Sequence, residues 1–161
     1  MTEPTPEQLV STLARKFRVE VDTSATAVPA WLQIRAIQTI KPTINNTMVD
    51  DADLDSDGWG SQAKTGMAWA LELGLLRKVG ISTSEYDPGQ EAIRAAADAF
   101  GPDGVVHVRW YDRDGGPEAY EGYAQVGWSP NGGNVTALDI VAVTLSGQGA
   151  RTPITNPVAA P

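Results

Sequence analysis

The 161-residue sequence predicts a mainly β fold, a sandwich or barrel with one flanking α-helix and a long acidic loop. Three observations carry this. Several segments alternate apolar and polar residues with period two. Only one segment, residues 88–100, combines helix caps with an apolar stripe. Gly- and Asn-rich turns separate the last three apolar segments.

In order along the chain, residues 1–13 are read as a short helix or an arm. Thr5 is a candidate N-cap, Pro6 a first helical residue and Glu7 a first-turn acid. Residues 15–22 alternate: Phe17, Val19 and Val21 share one face, and Lys16, Arg18, Glu20 and Asp22 the other, the pattern of a half-buried strand. After a Thr/Ser/Ala/Pro turn, Trp31–Ile40 reads as one strand closed by Pro42. Residues 43–64 are too rich in Asp, Asn and Gly for a core element and read as one long polar loop. In residues 65–77, Met67, Trp69, Leu71, Leu73 and Leu75 alternate with small or polar residues. Their composition also suits a helix, but the period selects a strand.

The helix over 88–100 starts from Asp87 as N-cap, Pro88 at the first position and Gln90 at the capping-box position. Ala92, Ile93, Ala96, Ala97 and Phe100 form its stripe, and Gly101-Pro102 ends it. Three strands follow: 105–111, 119–128 and 135–145. Asp112–Gly116 supplies the first turn and Asn131-Gly132-Gly133-Asn134 a hairpin signal. Residues 151–161, with three prolines, read as a flexible tail or one that docks elsewhere. The division is an arm over 1–12, one domain over 13–150 and the tail over 151–161.

Composition narrows the chemistry. There is no cysteine and one histidine, which excludes disulfides, thiolate metal sites and a cysteine nucleophile, and leaves few routes to a transition-metal site. A net charge of −8 argues against ordinary nucleic-acid binding. Five of the twenty acidic residues fall between Asp50 and Asp57, so most of that net charge is local. No apolar run is long enough for a membrane span, and Met1–Gln8 lacks the basic and apolar regions of a secretory signal.

Asp53-Leu54-Asp55-Ser56-Asp57-Gly58 matches the first half of an EF-hand loop, but position 12 is Lys64 instead of a bidentate glutamate, and the flanks read as strands. No metal or cofactor site is assigned. The run reads instead as a solvated loop or as one that meets a basic surface of a neighbouring subunit. His107, on an alternating strand, has no Gly-x-Ser-x-Gly elbow to make it a triad base, and reads as a packed or exposed strand residue. No carboxylate pair is singled out for glycoside hydrolysis. Four tryptophans, Trp31, Trp69, Trp110 and Trp128, lie on strands and suit a core. Trp59, between Gly58 and Gly60, either inserts into a partner or folds back on its own domain.

One ordered set of features resembles the tail tube (major tail) proteins of long-tailed phages. The strand Trp31–Ile40 is followed by a Thr/Asn stretch, then the run Asp50-Asp51-Ala52-Asp53-Leu54-Asp55-Ser56-Asp57-Gly58-Trp59, then Gly60–Gly66 and the apolar strand from Met67. The helix Gln90–Phe100, the strand Val105–Asp112 and a meander ending Val143–Gly149 complete it, over about residues 13–150. The resemblance implies a non-enzymatic virion protein forming hexameric rings that stack into a hollow tube for DNA, which passes without specific binding. It implies assembly in the host cytoplasm, with tail-tip or initiator, ruler and tail-terminator proteins as partners. Asp50, Asp51, Asp53, Asp55, Asp57, Trp59 and Lys64 would then contact an adjacent subunit or ring. The tube proteins of contractile tails and type VI secretion share the fold, and the sequence does not separate them. From another class, a calcium- or carbohydrate-binding β-sandwich module is the alternative; a saturable effect of calcium or glycan on a monomer would mark it.

Overall fold

The structure, a computed structural model, describes residues 6–158. Its strands are β1 (Phe17–Asp22), β2 (Trp31–Gln33), β3 (Ile37–Asp50), β4 (Gln62–Leu76), β5 (Val105–Asp112), β6 (Ala119–Pro130), β7 (Ile140–Gly147) and β8 (Thr152–Pro153). The helix α1 (Pro88–Ala97) lies between β4 and β5. All strands join one antiparallel sheet in the order β2-β1-β5-β6-β7-β4-β3, with β8 paired to the start of β6, which β7 does not reach. The predicted class, mainly β with one helix, is the observed one.

The sheet is curled. Its outermost strands, β2 and β3, are neighbours in sequence, joined only by Ile34-Arg35-Ala36. At about 3.5 Å per residue such a link spans about 14 Å, so the two ends of the sheet must approach each other. The inner face holds the period-two residues of each strand: Val19 and Val21, Leu71, Leu73 and Leu75, Val106, Val108 and Trp110, Val141, Val143 and Leu145. The strand reading of 65–77 thus holds. Ile93 of α1 is fully buried against this core.

The helix is fastened by polar atoms as well. Asp87 caps it, accepting from Gln90 N at 3.1 Å, and also accepts from Arg35 N. Gln90 does not reach back as a capping box would. Its buried Nε2 donates to Arg35 O at 2.7 Å and Leu76 O at 3.3 Å, and its Oε1 accepts from Arg77 Nη1. One amide side chain therefore ties the helix to the link and to the end of β4. Gln90→Leu removes three part-buried hydrogen bonds, to Arg35 O, Leu76 O and Arg77 Nη1, and its urea midpoint should show a loss of about 2 kcal/mol or more.

Several expectations are corrected. Trp31–Ile40 is two strands, because Ala36 adopts a left-handed backbone (φ 59°) and Ile34 turns into the core. Pro42 does not close a strand; it pairs with Leu71 inside β3, an edge strand whose outer side requires no N–H donor. Residues 43–64 are not one loop: β3 continues to Asp50 and β4 begins at Gln62, leaving only 51–61 as loop. The helix ends at Ala97, so Phe100 leaves the stripe and is exposed.

The last hairpin has a nine-residue loop, 131–139, and β7 starts at Ile140 instead of Val135. Gly132 and Gly133 take positive φ, while Asn134 Oδ1 accepts from Thr136 N, so the chain turns locally before pairing resumes. The tail is docked on its own domain over 151–158: Ile154 N donates to Ala119 O, and Asn156 Nδ2 donates to Asp112 O and Gly116 O. Residues 6–13 form no regular element, and a 3-10 turn spans Ala14–Lys16; the Thr5 cap lies outside the described residues.

Candidate assembly interface

The corrected loop is the structure's main surface feature. β4 pairs with β7 only from Ala70 onward, so Gln62–Trp69 has β3 as its sole strand partner. Ile44–Asp50 and Gln62–Trp69 form a two-stranded ribbon, continuous from Ile44↔Trp69 to Asp50↔Gln62 apart from a register shift at Thr47/Met48. Seven residues at about 3.3 Å give it a length of about 23 Å. Ile44, Met48, Val49 and Met67 are exposed along it. An isolated two-stranded ribbon is marginal in water, and this one leaves four large apolar side chains exposed to it.

Its root is fixed by Trp69. The indole is buried between β6 and β7, where a Cβ at Gly122 would stand 2.6 Å, and one at Gly147 2.4 Å, from indole atoms. Nε1 donates to Gly149 O at 3.0 Å, and the ring lies 5.2 Å from that of Trp110. Both glycines are thus required for the close approach of the tryptophan.

The tip carries the acidic residues. Asp51 N donates to Ser61 O and closes it. A 3-10 turn over Leu54–Ser56 is held by a reciprocal cap: Asp53 Oδ1 accepts from Asp55 N, and Asp53 N donates to Ser56 Oγ, both at 3.1 Å. Asp50 Oδ1 accepts from Ala52 N. Asp57 and Gly58 take positive φ and bring Trp59 N back to Ser56 O. Asp51, Asp55 and Asp57 are exposed. Among the described residues no group of three or more His, Asp or Glu is placed to hold a metal ion.

Of the sequence-predicted residues, Asp50, Asp51, Asp53, Asp55, Asp57 and Trp59 come together at this tip. Lys64 does not; it pairs with Met48 on the ribbon, its Nζ 3.5 Å from Met67 Sδ. Trp59 is 78% and Leu54 99% exposed, which overturns the reading in which Trp59 folds back on its domain. Sequence reasoning missed the ribbon's Ile44, Met48 and Val49. Their signal was present, three large apolar residues within a stretch otherwise polar.

A second polar cluster surrounds His107. Its Nδ1 lies 3.5 Å from Asp22 Oδ2 and its Nε2 3.5 Å from Glu121 Oε2, and the ring stacks on Tyr123 at 4.5 Å. These are polar and stacking contacts of a partly packed strand residue. Burial pushes the Asp22 carboxyl up, but Ser24 N and Ala30 N, donating to it, and His107 outweigh this and hold it below its ordinary value. A carboxyl lowered in the fold contributes stability present above its unfolded pKa of about 3.9 and lost as pH falls through the folded value. Between about pH 5 and about pH 2.5 the urea midpoint should therefore fall more for the wild type than for Asp22→Asn.

No protein-family model matches the chain, and no curated protein matches it. Solved structures do share its fold. A chain in the tail of an empty gene transfer agent particle, determined with C6 symmetry, superposes with a TM-score of 0.67 at 13% identity, covering 89% of this chain and 99% of that one. The SPP1 tail tube gives 0.65 at 14% identity over 91% and 81%, and a chain of the native gene transfer agent virion 0.62 at 13% over 88% and 98%. The fold, one curled antiparallel sheet with a single flanking helix, is that of tail tube proteins.

Proposed function

We propose that this chain, built on the tail tube fold, is a non-enzymatic structural subunit of a phage-type tail. Six copies form a ring, and rings stack into a hollow tube through which DNA passes without specific binding. The ribbon carries this reading: it extends beyond the sheet, exposes Ile44, Met48, Val49 and Met67, and ends in the acidic tip with Trp59. Assembly gives that surface the cover it lacks in a single copy. The open edges of β2 and β3 likewise fit a subunit that pairs with neighbours. The C6 symmetry of the gene transfer agent tail supports six as the ring number.

The ribbon and the tip residues Asp50, Asp51, Asp53, Asp55, Asp57 and Trp59, with Lys64 on the flank, form the contact to the adjacent subunit or ring. A head-to-tail contact of this kind closes into rings or extends into a filament. The place of action is the virion tail, after assembly in the host cytoplasm, with initiator or tail-tip, ruler and terminator proteins as further partners.

Negative-stain microscopy with sedimentation velocity, from dilute to concentrated protein, tests the reading. Hollow filaments of six-fold rings are expected. A protein that stays monomeric at every concentration, and also when offered preformed tail tips, would overturn it.

A further inference from the structure

Resting on that reading, we infer that the acidic tip of one copy docks into an arginine-lined groove at the seam of the curled sheet of the next. The groove, of about 570 Å³, lies between β1, the Ile34–Ala36 link and the first residues of β3. Arg15, Arg18, Arg35 and Arg113 line it, with Ile37 and Ile40 on its apolar side and no Asp or Glu among its lining residues.

None of these four arginines has a carboxylate within ion-pair distance among the described residues, whereas Arg77, Arg94 and Arg109 all do. Arg18 Nε is buried without a hydrogen-bond partner among the described residues. Four guanidinium groups lining one groove without a carboxylate partner favour an anionic occupant. The tip matches it in charge: five aspartates and no Lys or Arg between Asp50 and Ser61. Exposed Leu54 and Trp59 match its apolar side, and an indole stacks well on guanidinium planes.

The occupant is a second copy. β3 itself runs from the groove, at Ile37–Ile40, to the base of the tip, at Asp50. The ten steps along β3 from Ile40 to Asp50, at about 3.3 Å each, put roughly 33 Å between the two, so a chain cannot fill its own groove. Two different patches at opposite ends of one strand make a heterologous contact, which gives the assembly a direction.

The chain has no cysteine, so engineered disulfides report without background. Asp55→Cys and Arg35→Cys proteins, both substitutions being at exposed positions, are mixed, assembled and oxidised. A disulfide-linked heterodimer is expected in assembled material and not in dilute protein, and a chain carrying both cysteines should give a ladder of linked oligomers. In parallel, Arg35→Glu/Arg113→Glu should raise the concentration for half-assembly at least about tenfold, and adding Asp55→Lys and Asp57→Lys to it should recover most of that loss. Tubes that form without the heterodimer and without rescue by the charge swap overturn the docking while leaving the tube reading intact. Wild-type protein that forms no rings or tubes overturns both.

Discussion

Replacing Asp53, Asp55 and Asp57 by lysine is expected to leave the domain folded and to abolish its assembly. All three are exposed at the far end of a ribbon whose one core residue, Trp69, lies at the opposite root, and the only local hydrogen bonds lost are the caps accepted by Asp53. An exposed cap is worth about 1 kcal/mol, a small part of a stability of about 5–15 kcal/mol. The tip's five aspartates become two, facing three lysines. Against a basic surface that change replaces attraction by like-charge repulsion at close range, which costs several kcal/mol per contact and repeats at every subunit. Circular dichroism and the urea midpoint should stay near wild type while sedimentation shows monomers only. Filaments of normal length and abundance would remove the tip from the interface.

Trp69→Ala should have the largest effect on stability, about 3–5 kcal/mol by urea denaturation. The indole is buried, donates to Gly149 O, touches Trp110 and fills the space that Gly122 and Gly147 leave open. Its removal opens a cavity where three strands meet, at the residue from which the ribbon departs. Assembly should weaken even under conditions where the variant is fully folded, because the ribbon loses its anchor. A variant that loses less than about 1 kcal/mol would show that β6 and β7 close over the gap.

Where one face of a strand meets the core, the sequence was readable. Val19 and Val21, the alternating residues from Trp69 to Leu75, and Val106, Val108 and Trp110 all stand on the inner face that period two predicts. The helix start was readable from Asp87 and Pro88 because capping is local chemistry. The ribbon's apolar residues were visible but its strand pairing was not, and the reason is physical. With neither face buried within the subunit, Thr43–Asp50 carries no alternation to detect. The acidic tip was legible as a cluster, yet its distance from the body depends on strand pairing that composition does not reveal. The break at Ala36 was hidden because a left-handed alanine leaves no mark in a sequence. Gln90 stood at a capping-box position and was drawn away by carbonyls of the link and of β4, a tertiary demand that outweighed the local one.

The pairing pattern also sets a timetable for folding. β3 and β4 are adjacent in the chain and close through an eleven-residue turn, so this hairpin can zip as soon as it leaves the ribosome. β1 must wait: the hydroxyl of Tyr111 on β5 reaches Glu20 on β1 from 91 positions downstream, and the Val19↔Trp110 pairing needs the same long closure. The element proposed to recruit neighbours is therefore made early, and the body that should carry it is completed late. A nascent chain in that interval displays a sticky, half-built product. Slow translation between residues 76 and 112, or a chaperone that shields apolar hairpins, would then govern the yield of usable subunits more than the final stability of the fold.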